Sequence, residues 1–209
     1  MRKRKKDIKN IIKNDVLNNA KSYFIVIVIF VIGIFLGVMF INQTKDKSEV
    51  ETYINTYVDE TKSIQNRDYF WELQKDIRSN IALVLLLWFA GTTIIGIPIV
   101  LGVIMFRGFC LGYTIASCVY VLGKMKAIMF ISITILLQNI IFIPAIMILG
   151  VSSIKLYKSI VKDRRRENIK LSIIKHSLIS MVILIALIIA SIIKIEISYR
   201  MILNLIKYF

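Results

Sequence analysis

The amino-acid sequence predicts an all-α, polytopic integral membrane protein: a bundle of five transmembrane helices with a cytoplasmic N-terminus and an external C-terminus. Three observations predict it. Of the 209 residues, 57% are hydrophobic, whereas soluble domains are roughly 45–50% apolar even when glycine is counted. The apolar residues form uncharged runs that are long enough to cross a bilayer. The 28 Lys and Arg residues outnumber the 13 Asp and Glu residues and concentrate in a few segments, as they do on the cytoplasmic side of membrane proteins.

The first element, residues 1–21, is a basic arm that we expect to lie in the cytoplasm. Apolar residues at helical spacing between Ile8 and Leu17 predict an amphipathic helix on an anionic lipid bilayer. A frayed basic tail is the alternative, and the spacing alone does not decide between the two. The basic residues of the arm are Arg2, Lys3, Arg4, Lys5, Lys6, Lys9, Lys13 and Lys21.

The uncharged stretch 22–44 is the first predicted transmembrane helix. Its 23 residues span about 34 Å at a rise of about 1.5 Å each, enough for the hydrocarbon core. A cleaved signal peptide has a shorter apolar region, so we expect this helix to be retained. The polar, nearly neutral segment 45–78 then lies outside the membrane. Its apolar residues recur close to every 3.6 positions, which predicts one or two amphipathic helices.

Residues 79–154 are predicted to form a three-helix transmembrane core. This stretch contains only three charged side chains, Arg107, Lys124 and Lys126. The basic segment 155–176 is predicted to be cytoplasmic, so an odd number of crossings must separate it from the external loop. Three helices of about 20–25 residues fit the length. We expect them at 79–106, 108–123 and 127–149, with Arg107 inside and the two lysines outside.

The end of the chain adds one more crossing. The uncharged run 177–193 is long enough for a short fifth transmembrane helix that leads outward. Residues 194–209 then form a short external tail.

Pairs of glycines four residues apart predict close packing of helices. Gly33 and Gly37 share one face of the first helix, and Gly108 and Gly112 repeat the spacing later in the chain. Small residues at this spacing let helix backbones approach closely. The pattern fits packing within one chain and also a homo-oligomer. We favour internal packing, because glycine is generally frequent in membrane helices.

Two further groups are predicted to pack helices: Gly91, Gly96 and Pro98 in the second helix, and Gln138, Asn139 and Pro144 in the fourth. The proline of the first group is expected to kink its helix. The adjacent amides of the second group are costly at membrane depth unless they face the bundle interior. We therefore favour interhelical hydrogen bonds over contact with a substrate.

The sequence contains no recognisable catalytic or metal-binding set. Its single histidine, His176, is expected at the cytoplasmic mouth of the fifth helix, and no metal-ligand spacing surrounds it. No nucleophile motif or phosphate-binding loop occurs, and no basic run is interleaved with the stacking aromatics of a nucleic-acid surface. We therefore expect no enzyme activity, no cofactor, no metal and no nucleic-acid partner. The absence of these motifs from the sequence favours a scaffold over an enzyme.

The motifs, taken in order, resemble those of a known family. The series is F-x-x-G-x-x-x-G from Phe30 to Gly37, Arg78-Ser79-Asn80, Gly91-Thr92-Thr93-Ile94-Ile95-Gly96-Ile97-Pro98, Arg107-Gly108-Phe109-Cys110-Leu111-Gly112, and Gln138-Asn139 before Pro144. Over essentially the whole chain it resembles the stage II sporulation protein M family of endospore-forming bacteria. Glycine pairs alone are common in membrane helices, so the order of the motifs carries the resemblance.

The resemblance implies a non-enzymatic role in the cell membrane, on the mother-cell side of the sporulation septum. It implies that the protein recruits and holds two membrane-anchored peptidoglycan hydrolases, stage II sporulation proteins D and P. Septal peptidoglycan is thinned there during engulfment. A second hypothesis, from another class, is a membrane subunit of a transporter that works with a separate ATPase.

Cell-wall hydrolases act outside the membrane, so we expect them to contact an external segment. Tyr53 and Tyr57 lie one helical turn apart in the external loop, and tyrosine is enriched at binding hot spots. These two residues are the predicted partner contacts. The aromatic residues Tyr69, Phe70 and Trp71 lie closer to the second helix, and they fit an interfacial belt at the headgroups equally well.

Overall fold

The computed structural model describes residues 17–44, 47–62, 69–93, 95–132, 137–162 and 166–205. This part of the chain contains the helices α1 (Ala20–Gln43), α2 (Ser48–Lys62), α3 (Tyr69–Thr92), α4 (Gly96–Leu122), α5 (Lys124–Ile131), α6 (Leu137–Lys162) and α7 (Arg166–Leu205). No strand occurs in these ranges. The predicted all-α class is therefore confirmed for the described residues. The basic arm lies outside them, except for its last five residues.

Four of the described helices are long and apolar enough to cross a membrane. The apolar spans are Ala20–Gln43 in α1, Gly96–Leu122 in α4, Asn139–Val161 in α6 and Ile169–Glu196 in α7. They support the prediction of a polytopic membrane protein. α3 is also long, but it is not among these apolar spans. Its first half carries the charged side chains Glu72, Lys75, Asp76 and Arg78. Four spans, rather than the predicted five, are thus recognisable by length and composition.

The predicted helix 79–106 is interrupted in the structure. α3 ends at Thr92 and α4 begins at Gly96. Between them, the backbone N–H and the hydroxyl of Thr93 both donate to the carbonyl oxygen of Ala90, at 3.1 and 3.0 Å. A side chain at Gly96 would strike the same carbonyl group. Glycine is therefore what allows the chain to turn so tightly here.

Pro98 and Arg107 consequently occupy other positions in the helices than those predicted. Pro98 is the third residue of α4, where a missing N–H breaks no intrahelical hydrogen bond. It lies in the first turn of a helix, so the predicted kink is wrong. Arg107 lies near the middle of α4 and not in a turn. The predicted boundary there is also wrong, because a charge inside an apolar run does not always mark the membrane surface.

The helices of the C-terminal half are longer than predicted. The run 127–149 is divided between α5 and α6, and α6 continues to Lys162. α7 has 40 residues, which corresponds to about 60 Å, roughly twice the thickness of the hydrocarbon core. The predicted loop 155–176 and tail 194–209 are therefore, where they are described, the ends of these two helices.

Helices α1 and α4 lie side by side and run in the same direction. Phe30 and Ile34 of α1 contact Gly108 and Gly112 of α4 in ascending order along both helices. The segment that joins the end of α1 to the start of α4 must therefore return along the length of the bundle. α3 is the long helix in that segment.

Helix α3 runs antiparallel to α7. Hydrogen bonds join Asn80 to Ser191 and Trp88 to Ser177, so residue numbers ascend in one helix as they descend in the other. α6 and α7 form an antiparallel hairpin, in which the facing residues include His176 and Ser152. α1, α4 and α7 thus run one way, and α3 and α6 run the other way.

The two ends of the bundle carry different elements. At the near end α1 begins, α6 ends and α7 begins, and there Lys158 Nζ donates to Ser22 Oγ at 2.9 Å. The far end carries α2 and α5. Val50 and Ile54 of α2 pack there with residues at the ends of α1, α4 and α5, namely Ile41, Cys118, Ala127 and Phe130. α2 is therefore fastened across the far end of the bundle.

The main core fills the space between α1, α3, α4, α6 and α7. Its most deeply buried members are Val26, Leu87, Val100, Ile104, Leu149, Val151 and Leu187, each with 0–1% exposure. In lipid the surroundings are as apolar as the core, so burial alone does not hold such helices together. Close packing and polar contacts must specify the arrangement instead.

Candidate functional site

The first candidate site is the glycine interface between α1 and α4. Four glycines are buried in it: Gly33, Gly37, Gly108 and Gly112. A Cβ atom added at any of them would strike a backbone carbonyl oxygen of the opposite helix. A backbone atom cannot move aside as a side chain can, so only glycine permits this approach. The structure thus brings both predicted glycine pairs into one contact within the chain, where they are not available for self-association.

Gly91 faces side chains rather than backbone. An added Cβ atom would lie 2.5 Å from Ser153 Oγ and 2.7 Å from His176 Nε2. The glycine therefore lets α3 approach both α6 and α7 at one point. Its contact differs from those of α1 and α4, because the atoms that it meets belong to side chains with some freedom to rotate.

The histidine lies in the core and not at the mouth of a helix as predicted. His176 is 1% exposed, and its Nδ1 lies 2.9 Å from Ser152 Oγ. Its Nε2 is buried and has no hydrogen-bond partner of good geometry among the described residues. The pair connects α6 to α7. Sequence reasoning missed it because Ser152 lies 24 positions earlier in the chain, on another helix.

Three polar contacts fasten α3 to α7, and we call them the polar seam. Asn80 Nδ2 donates to Ser191 Oγ at 2.8 Å, Trp88 Nε1 to Ser177 Oγ at 3.0 Å, and Lys194 Nζ to Asp76 Oδ1 at 3.0 Å. Asn80 is 4% exposed and Ser191 is fully buried. Polar groups in so apolar a setting are costly without partners. The seam therefore compensates for the polarity of α3.

Arg107 is half-buried near the middle of α4. Its guanidinium carbon lies 5.1 Å from the centre of the Phe142 ring, inside the range of about 6 Å for a cation–π contact. Asp76 is near enough to attract it electrostatically. Charges within membrane-spanning segments are rare unless they are paired. The ring of Phe142 is thus a direct partner for the charge in the middle of α4.

The predicted group on α6 lies near the far end. Asn139 is half-buried in the first turn of α6, whereas the side chain of Gln138 lies outside the described residues. Pro144 is inside the helix with an exposed side chain. The hydrogen bonding of the two amides across helices therefore stays a prediction.

The surface of α2 that faces away from the bundle carries one of the two predicted partner contacts. Val50 and Ile54 are buried, whereas Tyr53 between them is 66% exposed. The side chain of Tyr57 lies outside the described residues, although its backbone follows one turn later in α2. At the start of α2, Lys47 Nζ lies 4.1 Å from the centre of the Tyr120 ring, and this contact attaches the helix to the end of α4.

A second pair of exposed aromatic residues lies at the start of α3. Phe70 and Trp71 are 72% and 60% exposed. Lys75 Nζ lies 5.2 Å from the Trp71 ring, on the same side of the helix one turn later. Their exposure agrees with the two roles that the sequence predicts for this segment, an interfacial belt or a partner contact.

Potential metal ligands are scattered over the described part of the chain. Among the described residues no three His, Cys, Asp or Glu side chains come together in a group that could hold a metal ion. Cys110 and Cys118 are free thiols, half-buried and buried respectively. The described sites are thus contacts between helices and an exposed surface at the far end.

These features define the class of the protein: an all-helical, polytopic membrane protein with glycine and polar contacts between its membrane-spanning helices. The family follows from sequence comparison. The family model for Stage II sporulation protein M matches residues 26–197, from within α1 to the far part of α7, and the protein belongs to this family. The resemblance found in the sequence is confirmed. No curated protein and no solved structure matches the chain significantly.

Proposed function

We propose that the chain crosses the membrane five times, with the near end in the cytoplasm and the far end outside. α1, α4, α6 and α7 are apolar enough to cross by themselves, and α3 is the fifth crossing. The parallel packing of α1 and α4 supports this count. If both cross, the chain between them must cross back, and α3 is the long helix there. Its seam with α7 extends from Lys194 to Ser177, over most of the apolar span of α7.

Cysteine reporters test this topology in a chain that carries Cys110→Ser and Cys118→Ser. Reporters are placed one at a time at exposed positions, Glu51 and Lys126 at the far end, and Lys170 and Lys175 at the near end. In intact cells a membrane-impermeant thiol reagent is expected to label the far-end reporters alone. Permeabilised cells, in which all four should react, are the control. Labelling of the near-end reporters in intact cells contradicts the topology.

The function that we propose is a non-enzymatic scaffold in the mother-cell membrane at the sporulation septum. The scaffold recruits and holds the membrane-anchored hydrolases, stage II sporulation proteins D and P, for septal thinning and engulfment. Family membership over residues 26–197 carries the proposal. The exposed aromatic residues at the far end supply a surface for such partners. Neither the fold nor the family match favours the alternative of a transporter subunit.

Affinity purification of the tagged full-length chain from sporulating cells tests the scaffold. We expect both hydrolases to be recovered with it, and neither to be recovered with an unrelated multi-pass protein that carries the same tag. Recovery of the tagged chain at its normal level without the hydrolases would overturn the proposal.

A scaffold is also expected to lack hydrolase activity of its own. The purified chain, incubated with peptidoglycan, should release no soluble fragments, while a purified wall hydrolase in a parallel reaction does. Fragment release that follows the protein through every purification step, and survives removal of contaminating hydrolases, contradicts this expectation.

The predicted partner contact is tested by Tyr53→Ala together with Tyr57→Ala. Loss of two aromatic anchors is expected to reduce co-purification of the hydrolases by about tenfold or more, since hot-spot residues are worth about 2 kcal/mol or more each. Asn55→Ala with Thr56→Ala, two exposed neighbours on the same helix, is the matched control. Equal recovery with both double variants shows that the contact lies elsewhere on the far end.

A further inference from the structure

Helix α5 follows a membrane-spanning helix directly and lies at the far end of the bundle. The chain leaves α4 at Gly123, whose positive φ of 74° favours glycine, and α5 begins at the next residue. Ala127 and Phe130 of α5 face the bundle and are 0% and 7% exposed. They belong to the buried cluster that also contains Ile41 of α1 and Cys118 of α4. α5 is therefore packed against the far ends of both helices.

These contacts fix the level of α5 along the bundle. Ile41 lies two residues before the end of α1, and Cys118 lies four residues before the end of α4. Both residues are within the apolar spans of their helices, and the first charged side chain after α1 is Lys45. If α1 and α4 cross the membrane, α5 lies where the hydrocarbon ends and the headgroups begin.

The side of α5 that faces away from the bundle is apolar, and we call it the outer face of α5. Met125, Ile128 and Met129 are 77%, 60% and 41% exposed. Their spacing of three and four residues places them on one face of the helix. At about 3.6 residues per turn, this face is opposite to the one that carries Ala127 and Phe130. Three large apolar side chains are thus presented to the surroundings of the far end.

The flanks of the outer face are basic. Lys124 and Lys126 are exposed, and the helical period places them on its two sides. An apolar face between lysines is typical of a helix in the membrane interface, where the ammonium groups reach the headgroups. The exposed side of α2 differs, because beside Tyr53 it carries the polar residues Asn55 and Thr56. Of these two surfaces at the far end, that of α5 is the one suited to hydrocarbon.

We propose that the outer face of α5 is inserted among the acyl chains directly below the headgroups of the external leaflet, with Lys124 and Lys126 at the headgroups. Removal of its apolar side chains from water favours this insertion. Because Val50 and Ile54 of α2 pack in the same cluster as α5, the inserted helix also holds α2 at the bilayer surface. This lipid contact goes beyond the scaffold function and does not depend on which partners bind the far end. It rests on the proposed topology only for the choice of leaflet.

Fluorescence quenching in lipid nanodiscs, which leave both faces of the bilayer open to solutes, tests the insertion without reference to topology. The full-length chain carries Cys110→Ser and Cys118→Ala, and a single new cysteine, Ile128→Cys, is labelled with nitrobenzoxadiazole. The quenchers are iodide in the water and a phosphatidylcholine with a nitroxide near the top of its acyl chain. The same label at Thr56→Cys on α2 is the water-facing control. At Phe35→Cys on α1, where the natural side chain is 62% exposed, it is the lipid-facing control.

The label at Ile128 is expected to be protected from iodide, as the label at Phe35 is, and to be quenched by the nitroxide lipid. Its iodide quenching should be about tenfold weaker than that at Thr56, since transfer of one aliphatic side chain into hydrocarbon is favoured by about tenfold or more. Equal iodide quenching at the two positions overturns the proposal, because the outer face is then in water and free for a protein partner. Protection from both quenchers also overturns it, because protein and not lipid then covers the face.

A second measurement places the label at Met129→Cys and adds Met125→Asp with Ile128→Asp. Two carboxylates on the outer face should expel it from hydrocarbon and raise iodide quenching severalfold. The matched control, Asn55→Asp with Thr56→Asp, adds the same charge to α2 and should leave the quenching unchanged. No rise in the α5 variant, or an equal rise in both variants, overturns the proposal.

Size-exclusion chromatography checks that each labelled variant is folded. Should the aspartate variant of α5 aggregate, Met125→Ser with Ile128→Ser replaces it, because serine removes the apolar surface without adding charge. Raised iodide quenching of the label at Met129 then supports the insertion, and unchanged quenching overturns it.

Discussion

The α1–α4 interface and the α3–α7 interface hold neighbouring helices together by opposite means. In the first, backbone meets backbone across four glycines. In the second, side chains meet in the polar seam, through two hydrogen bonds and one ion pair. The difference follows from the composition of the helices. α1 is uncharged from Ser22 to its end, whereas α3 carries four charges in its first half.

The comparison shows that membrane helices of different polarity need different partners. An apolar helix gains nothing by leaving lipid, so it associates only where packing is closer than lipid can offer. A helix with buried polar groups associates wherever those groups find hydrogen bonds or charges. The first kind of interface should therefore tolerate no added volume, and the second should lose stability one contact at a time.

The largest effect is expected from adding volume between α1 and α4. Gly33→Ala with Gly37→Ala would press two methyl groups against carbonyl oxygens of α4, and such overpacking costs roughly 3 kcal/mol or more. Thermal unfolding in detergent measures it. The control is Gly102→Ala on α4, where an added Cβ atom meets nothing within 4 Å and stability should not fall. Equal stability of the two variants would show that α1 and α4 do not pack as described.

The next effect is expected in the ion pair of the polar seam. Asp76→Ala leaves Lys194 without its carboxylate and removes the attraction on Arg107. A charged hydrogen bond contributes about 1.5–3 kcal/mol. We expect the lower value, because the two side chains are 18% and 25% exposed and water screens the pair. A double-mutant cycle with Lys194→Ala measures the coupling. A coupling indistinguishable from zero means that the pair does not hold α3.

A single methyl group added at Gly91 allows a direct comparison of contacts with side chains and contacts with backbone. Gly91→Ala presses against the side chains of Ser153 and His176, which can shift. The expected loss of unfolding free energy is therefore about 1 kcal/mol, less than for an alanine that meets backbone. Adding Ser153→Ala should restore part of the loss. If Gly91→Ala destabilises the protein as much as Gly33→Ala does, side-chain freedom is not what separates the two interfaces.

The smallest effect is expected from the hydrogen bond between Asn80 and Ser191. Ser191 Oγ also donates to the carbonyl oxygen of Leu187 at 3.0 Å, so it keeps a partner when Asn80 is removed. Coupling between hydrogen-bonded side chains in membrane proteins averages about 0.6 kcal/mol. The cycle of Asn80→Ala and Ser191→Ala is expected to give this value by thermal unfolding. A coupling above about 2 kcal/mol would place this bond among the main supports of the bundle.

The glycine interface could be predicted from the sequence because its signal is local. Two glycines four residues apart in an apolar run indicate a flat helix face that another helix can approach closely. This holds whichever helix packs against it. Arg107 shows the opposite case. Its guanidinium group lies against the ring of Phe142 on α6, and the sequence does not show that this helix lies beside it. The sequence therefore predicts that Arg107 lies in a solvent-exposed turn between two helices, whereas the structure has it inside one helix, α4.

The same reasoning explains the misplaced histidine and the late start predicted for the second helix. His176 is buried because Ser152 and Gly91, on two other helices, enclose its ring. The predicted external segment ends at Arg78, but α3 already begins at Tyr69. The charged first half of α3 packs against α7, where Asp76 forms an ion pair with Lys194. The 3.6-residue period of the segment 45–78 correctly predicts a helix there, α2, and the exposure of Tyr53 beside the buried Val50 and Ile54 agrees with an amphipathic helix. Contacts between distant segments account for the rest.

The polar seam also has a consequence for the order in which the protein is made. The residues of α3 meet partners that lie 89, 111 and 118 positions later in the chain. At about 5–20 residues per second, the ribosome needs roughly 5–25 s to add them. Within that interval α1 and α4 can dock as soon as α4 has been made, because their glycine contacts involve no residue beyond Tyr113. The amide of Asn80 and the indole of Trp88 must meanwhile contact water, headgroups or the insertion machinery. A helix made much later, α7, thus completes the packing of an early one.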